Sequence, residues 1–134
     1  MATEGTAMGD GQLRFQGRTA VVTGAASGLG QAVAIRLGAE GAAVACLDVA
    51  SSGAQETAAI GAAGGTARAY QVDVSAPDAV RTTVAAGIKD LGRPSVLINC
   101  AGVGKFANTH EMPFADWSRI IGVNLTGTFL MAQA

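Results

Sequence analysis

The sequence predicts an α/β fold, a doubly wound parallel sheet that carries four strands and stops short of the later ones, and three observations predict it. From Arg18 onward, short β-branched runs alternate with longer alanine-rich runs of helical period, the alternation of βαβ units around a parallel sheet. The turn Thr23-Gly24-Ala25-Ala26-Ser27-Gly28-Leu29-Gly30 follows directly on the first apolar run. The 19 glycines fall at the ends of these runs while alanines fill the helical stretches, which is how tightly layered α/β proteins use them and not how linkers do.

Each element follows from local signals. The first strand is Thr19 to Thr23, and the helix after it runs from about Ser27 to Glu40, with Leu29, Val33, Ile35 and Leu37 as its apolar face. Gly41 ends that helix, and Ala43 to Leu47 forms a second strand closed by Asp48. A weaker helix, with Ser51 or Ser52 as its cap, runs to about Ala63 before Gly64-Gly65 breaks it. Strand three is about Ala67 to Val72; Asp73-Val74-Ser75 leads into a helix from about Ala76 to Lys89 whose first turn tolerates Pro77. Gly92-Arg93-Pro94 then loops into strand four, Ser95 to Asn99. The loop from Cys100 to Pro113 is long for such a connection, and long loops at strand ends often carry function. A last helix from about Phe114 puts Trp117, Ile120, Ile121, Asn124 and Thr128 on one stripe. Asn124 is the odd member, either a structural tie or part of a site, because a buried amide must find hydrogen-bond partners. Right-handed connections give the strand order 3-2-1-4, half of a doubly wound sheet, with strand four an unpaired edge.

Composition narrows the function classes. The chain has 134 residues, 49% of them apolar, enough for one ordinary core or part of one. With 14% charged residues and a formal net charge of -1, there is no basic surface for nucleic acid or an anionic membrane. Cys46 and Cys100 sit in or beside separate strands and read as two reduced core thiols, which fits a cytoplasmic setting. Residues 1–14 read as a disordered tail, neither secretory signal nor membrane span, ahead of one domain over residues 15–134; Met1 and Met8 both stand as candidate starts.

The glycine-rich turn is the strongest chemical signal. Gly24 turns the chain off the strand, Gly28 permits close approach of a pyrophosphate, and Gly30 lets the helix pack closely behind, with the helix N–H groups aimed at the phosphates. Asp48, eighteen residues past Gly30 at the end of strand two, can accept hydrogen bonds from both hydroxyls of an adenine ribose and would repel a 2′-phosphate. Ser27 and Val49 offer no cation for such a phosphate, so NAD is preferred over NADP.

Asp73-Val74 after strand three, Asn99-Cys100-Ala101-Gly102 after strand four and Val123-Asn124-Leu125-Thr126-Gly127 in the last helix complete an ordered set with the first turn. Together they closely resemble the short-chain dehydrogenase/reductase family from Phe15 to Ala134, which implies a Rossmann-type fold and hydride transfer between NAD and a secondary alcohol or ketone. The resemblance implies that Gly24, Ser27, Gly28, Leu29 and Gly30 cradle the phosphates and ribose, that Asp48 and Val49 hold the adenosine ribose and its edge, and that Asp73 and Val74 flank the adenine. It also implies that Asn99, Ala101 and Gly102 line the side toward the nicotinamide, and that Asn124 takes the Asn place of the family's Asn-Ser-Tyr-Lys tetrad, where a distorted helix frees a main-chain carbonyl for a water in the proton relay. Cys100 departs from the usual Asn of its motif. The Ser, Tyr and Lys of the tetrad have no counterpart in these residues; Tyr70 lies mid-strand with Val74 four places on, a packing residue.

Other residues carry less. His110 beside Glu111 lacks the further ligands a zinc site needs and reads as a loop residue. Phe106, Met112 and Phe114 either shape a substrate pocket or simply pack, and Lys105 and Arg119 read as solvated charges. Gly122, Val123, Gly127 and Leu130 share a helix face through which a second subunit could approach, giving a homo-oligomer. The competing functional classes are a non-catalytic NAD-binding or interaction module and, more weakly, an S-adenosylmethionine-dependent methyltransferase-like domain; titration with the two cofactors separates the latter.

Overall fold

A computed structural model describes residues 13–62 and 65–134, so the expected tail lies outside the described residues as far as residue 12. Strand β1 (Thr19–Thr23) leads into α1 (Gly28–Ala39), β2 (Ala43–Asp48) into α2 (Ser51–Gly61), and β3 (Ala67–Gln71) into α3 (Pro77–Leu91). After β4 (Val96–Asn99) come a single 3-10 turn (Thr109–Glu111), α4 (Phe114–Ile121), a π-helical turn (Gly122–Thr126) and α5 (Gly127–Gln133). The four strands are parallel in the order β3-β2-β1-β4, the expected Rossmann-like arrangement.

Alternation along the two central strands divides the core. Ala20, Val22, Val44 and Cys46 point to one face and meet Ala34 and Leu37 of α1 and Ala58 of α2. Val21, Ala45 and Leu47 point to the other and meet Val80 of α3 and Leu130 and Met131 of α5. All five residues of β1 are buried, as expected of a central strand covered by helices on both faces. β4 is only half covered, and Leu97 is 36% exposed on this sheet edge.

Three expectations are corrected. Leu29 does not join the apolar face of α1: it is 80% exposed, and the buried positions are the expected Leu37 together with Gly30, Ala34 and Gly38, three small residues that bring the helix close to its neighbours. Neither Ser51 nor Ser52 precedes α2; both lie in its first turn, and the entry is held instead by Asp48, whose Oδ1 accepts the Ala50 N–H at 2.9 Å. The small-residue face of the last helix points inward, with Gly127 and Leu130 buried and Val123 packed on the second cluster. Its exposed side carries Trp117, Leu125 and Phe129.

Sequence reading missed Glu40, buried at the end of α1. Its carboxylate accepts from Arg14 Nε and Nη2 and from Arg36 Nε, fastening the entering chain to α1. The hydrogen bonds from Arg14 and then Arg36 hold its pKa down at about 2, against an ordinary 4.5. Because the folded value is the lower one, the stabilisation is complete above the unfolded pKa and disappears as pH falls toward 2. Denaturant melts of wild type and Glu40→Gln are therefore expected to differ at pH 7 and to converge between pH 4.5 and pH 2; a difference that stays constant over that range would remove the ion pairs as its cause.

Both cysteines are free thiols. Cys46 is buried, and that burial pushes its pKa up to about 11, leaving it a core residue without thiolate character.

Candidate nucleotide-binding cleft

The parallel register sets Thr23 of β1 beside Leu47 of β2 and Asn99 of β4. The chain segments leaving these strands therefore emerge at one end of the sheet, the end where open α/β sheets bind ligands. The turn from β1 into α1 is fastened on both sides. Ala25 N–H donates to Leu47 O at 3.1 Å, Ala26 N–H donates to Asp48 Oδ2 at 3.0 Å, and Thr23 Oγ1 accepts the Ala101 N–H at 3.1 Å. Gly24 sits at φ 65°, and a Cβ there would lie 2.7 Å from Ala101 N, so both the turn and the approach of the β4 loop require glycine.

Thr57 of α2 is a further support that the sequence did not single out. Its fully buried hydroxyl lies 2.7 Å from Ala25 O and 3.0 Å from Gly53 O, within donating reach of either, and it accepts from Gln31 Nε2 at 3.2 Å. The available signal was a threonine between Ala54 and Ala58 on the buried stripe of α2, where a hydroxyl must find a partner.

These supports frame a cleft of about 830 Å³. Its lining includes all twelve candidate cofactor residues: Gly24, Ser27, Gly28, Leu29, Gly30, Asp48, Val49, Asp73, Val74, Asn99, Ala101 and Gly102. At its floor, Ser27 is the extended residue before α1, its side chain makes no capping bond, and the first turn carries no acidic residue. The first amides of α1 are thus left for an anion. Gly28, at φ 57°, has nothing within 4 Å of where a Cβ would stand, which leaves room for a ligand against its backbone.

The carboxylates divide their work. Asp48 gives one oxygen to Ala26 N–H and the other to Ala50 N–H, which orients the group and leaves lone pairs for further donors. Asp73 Oδ1 accepts both Ser75 Oγ–H at 2.6 Å and Ser75 N–H at 2.9 Å, and these bonds hold its pKa below the ordinary carboxylate value. Val49 is 63% exposed at the rim.

Asn124 lies outside the cleft lining, in the π-helical turn, where Gly127 N–H donates to Gly122 O five residues back. Its Oδ1 accepts Val103 N–H at 2.8 Å and its Nδ2 donates to Val103 O at 2.9 Å. The amide thereby ties the helix to the segment leaving β4, and Asn124 O accepts the Thr128 hydroxyl at 3.1 Å.

Apart from Arg119, the charged and aromatic residues given less weight in the sequence are absent from the cleft lining. Tyr70 donates its hydroxyl to Asp90 Oδ2 at 2.8 Å; burial and then this bond push its pKa up to about 12, and no lysine joins it. His110 is exposed beside Glu111, and no group of three or more potential metal ligands occurs among the described residues. Phe106, Met112 and Phe114 are absent from the lining, and both phenylalanines are exposed. Lys105, read as solvated, forms an ion pair with Asp116, whereas Arg119 lines the cleft. Among the described residues no helix is long and apolar enough to cross a membrane.

Comparison with known proteins agrees with the fold. Residues 18–134 match the sequence model of a family described as short chain dehydrogenase. Among curated relatives, the (3R)-3-hydroxyacyl-CoA dehydrogenase of Mus musculus is 42% identical over 132 residues, covering 92% of this chain and 51% of the relative. The D-threitol dehydrogenase of Mycolicibacterium smegmatis is 39% identical over 126 residues, covering 93% of this chain and 48% of the relative. A crystal structure of an NAD+-bound xylitol dehydrogenase superposes with a TM-score of 0.86 at 36% identity, over 90% of this chain and 47% of that one. The chain spans about half the length of these relatives.

Proposed function

The chain belongs to the short-chain dehydrogenase family of oxidoreductases, and from that premise we propose that it forms the NAD-binding half of an enzyme that interconverts a secondary alcohol and a ketone. The observation that carries the reading is the convergence of all twelve candidate residues on one cleft at the end of the sheet where the phosphate-binding turn lies. When bound there, NAD would supply the nicotinamide carbon that accepts or returns a hydride. The chain's own part is to hold that group: the amides at the start of α1 take the pyrophosphate, Asp48 the adenosine ribose, Asp73 and Val74 the adenine, and Asn99, Ala101 and Gly102 the side toward the nicotinamide. Asn124 keeps the helix and the β4 exit in register and is the one member of the proposed proton relay in these residues. The fit rests on the open space at Gly28, the α1 start without a side-chain cap and the fixed Asp48 carboxylate.

Preference for NAD over NADP follows from the Asp48 charge facing the ribose, since a 2′-phosphate placed there would meet a carboxylate. Asp48→Ala is expected to weaken NAD binding about tenfold or more, from the loss of charge-assisted hydrogen bonds, and to narrow the gap between NAD and NADP. Asp48→Asn keeps the shape and drops the charge, so it should narrow the gap with less disturbance of the Ala26 and Ala50 amides. Equilibrium titration of the three proteins with both dinucleotides checks this; unchanged affinities for both would remove the ribose assignment. A reducing, cytoplasmic setting and association of copies through the C-terminal helices belong to the same proposal, the former supported by the two free thiols.

A further inference from the structure

Three charged residues line the cleft, Asp48, Asp73 and Arg119. The carboxylates are engaged with the backbone and with Ser75. The Arg119 side chain has no hydrogen-bond or ion-pair partner among the described residues, while Lys105, on the loop before α4, is matched by Asp116. A cation left open on the wall of a ligand cleft is available to the ligand.

Its place in the fold says which part of the ligand. Arg119 stands in α4 three residues before Gly122, and a Cβ at Gly122 would lie 3.7 Å from the Ser75 Cβ. The end of α4 and the Asp73–Ser75 turn therefore meet on the same side of the cleft. With the phosphates at α1 and the ribose at Asp48, the region bounded by Val72, Val74 and Arg119 is left for the base. An apolar wall beside a flat, delocalised and weakly hydrated cation suits a purine ring, whose face attracts a guanidinium.

We propose that Arg119 lays its guanidinium against the adenine ring of the bound dinucleotide and is a specificity-determining contact for that base, an inference that rests on the nucleotide reading above. A lysine, a compact and strongly hydrated charge, replaces this contact poorly.

The test uses the 134-residue chain as wild type, Arg119→Leu and Arg119→Lys, titrated with NAD, AMP, adenosine and nicotinamide mononucleotide. Arg119→Leu is expected to lose about three- to tenfold in affinity for NAD, AMP and adenosine alike, with no loss for nicotinamide mononucleotide. Arg119→Lys is expected to recover little of it. Unchanged affinities in Arg119→Leu overturn the proposal, as does an equal loss for nicotinamide mononucleotide. A loss for AMP and NAD without one for adenosine overturns it in favour of a phosphate contact. Failure of the wild type itself to bind NAD and AMP is a separate result, which overturns the nucleotide reading and this proposal with it.

Discussion

Gly30→Val is expected to leave the chain unable to reach a stable fold. A Cβ at this position would stand 2.1 Å from Gly24 O and 2.6 Å from Gly24 C, and both are backbone atoms of a turn held by β2 and the β4 exit. Neither side can yield cheaply. Moving α1 outward breaks its packing through Ala34 and Leu37, and moving Gly24 disturbs the bonds that Ala25, Ala26 and Thr23 make. Overpacking of a well-packed site typically costs about 1–3 kcal/mol, and a contact this short against fixed backbone belongs at or beyond the upper end, against a total stability of about 5–15 kcal/mol for an ordinary domain. Urea denaturation read by circular dichroism checks it, with Gly28→Ala as the contrast. There the new methyl meets nothing within 4 Å, and the strain is that of φ 57° alone, about 1–2 kcal/mol. Gly28→Ala should fold and bind NAD weakly, whereas Gly30→Val should lose both; a Gly30→Val protein as stable as wild type would refute the close approach of α1 to the turn.

Much of this architecture was legible because it rests on signals with a local physical cause. Glycines and Asp48 mark strand ends where the chain must turn or accept a hydrogen bond, and the alternation of β-branched and alanine-rich runs follows from covering a parallel sheet on both faces. The convergence of Asp73, Asn99 and the glycine-rich turn on one cleft then follows from the strand order and register. Less legible was whatever depends on a partner distant in sequence. Glu40 looks like a helix-end charge until Arg14 arrives 26 residues away. Thr57 looks like an unremarkable helix residue until Ala25 O lies under its hydroxyl. Leu29 fits an apolar period and yet opens on the cleft, because the two residues that bring α1 onto the turn and α2 are Gly30 and Gly38, whose missing side chains carry no hydrophobic signal.

The small-residue face of the last helix was legible but not what it packs on, the core of the same chain in place of a second subunit, and a second substitution with a large effect follows from it. Gly127 closes the π-helical turn and starts α5, and a Cβ there would lie 2.6 Å from Val74 Cγ2 and 3.1 Å from Val74 Cβ. Val74 is buried and stiff about χ1, so it cannot swing aside freely, and it lines the cleft. Gly127→Ala is therefore expected to destabilise by about 1–3 kcal/mol, despite alanine's higher helix propensity, which alone would favour the change by about 1 kcal/mol. It should also weaken NAD binding by displacing the proposed adenine side of the cleft. Val74→Ala removes the opposing methyls, so the double variant should be more stable than the sum of the two single effects, a coupling measurable by denaturant melts of all four proteins. Strict additivity would mean that α5 does not press on Val74, and a stabilised Gly127→Ala would mean that this face is open, as a surface for a second subunit would be.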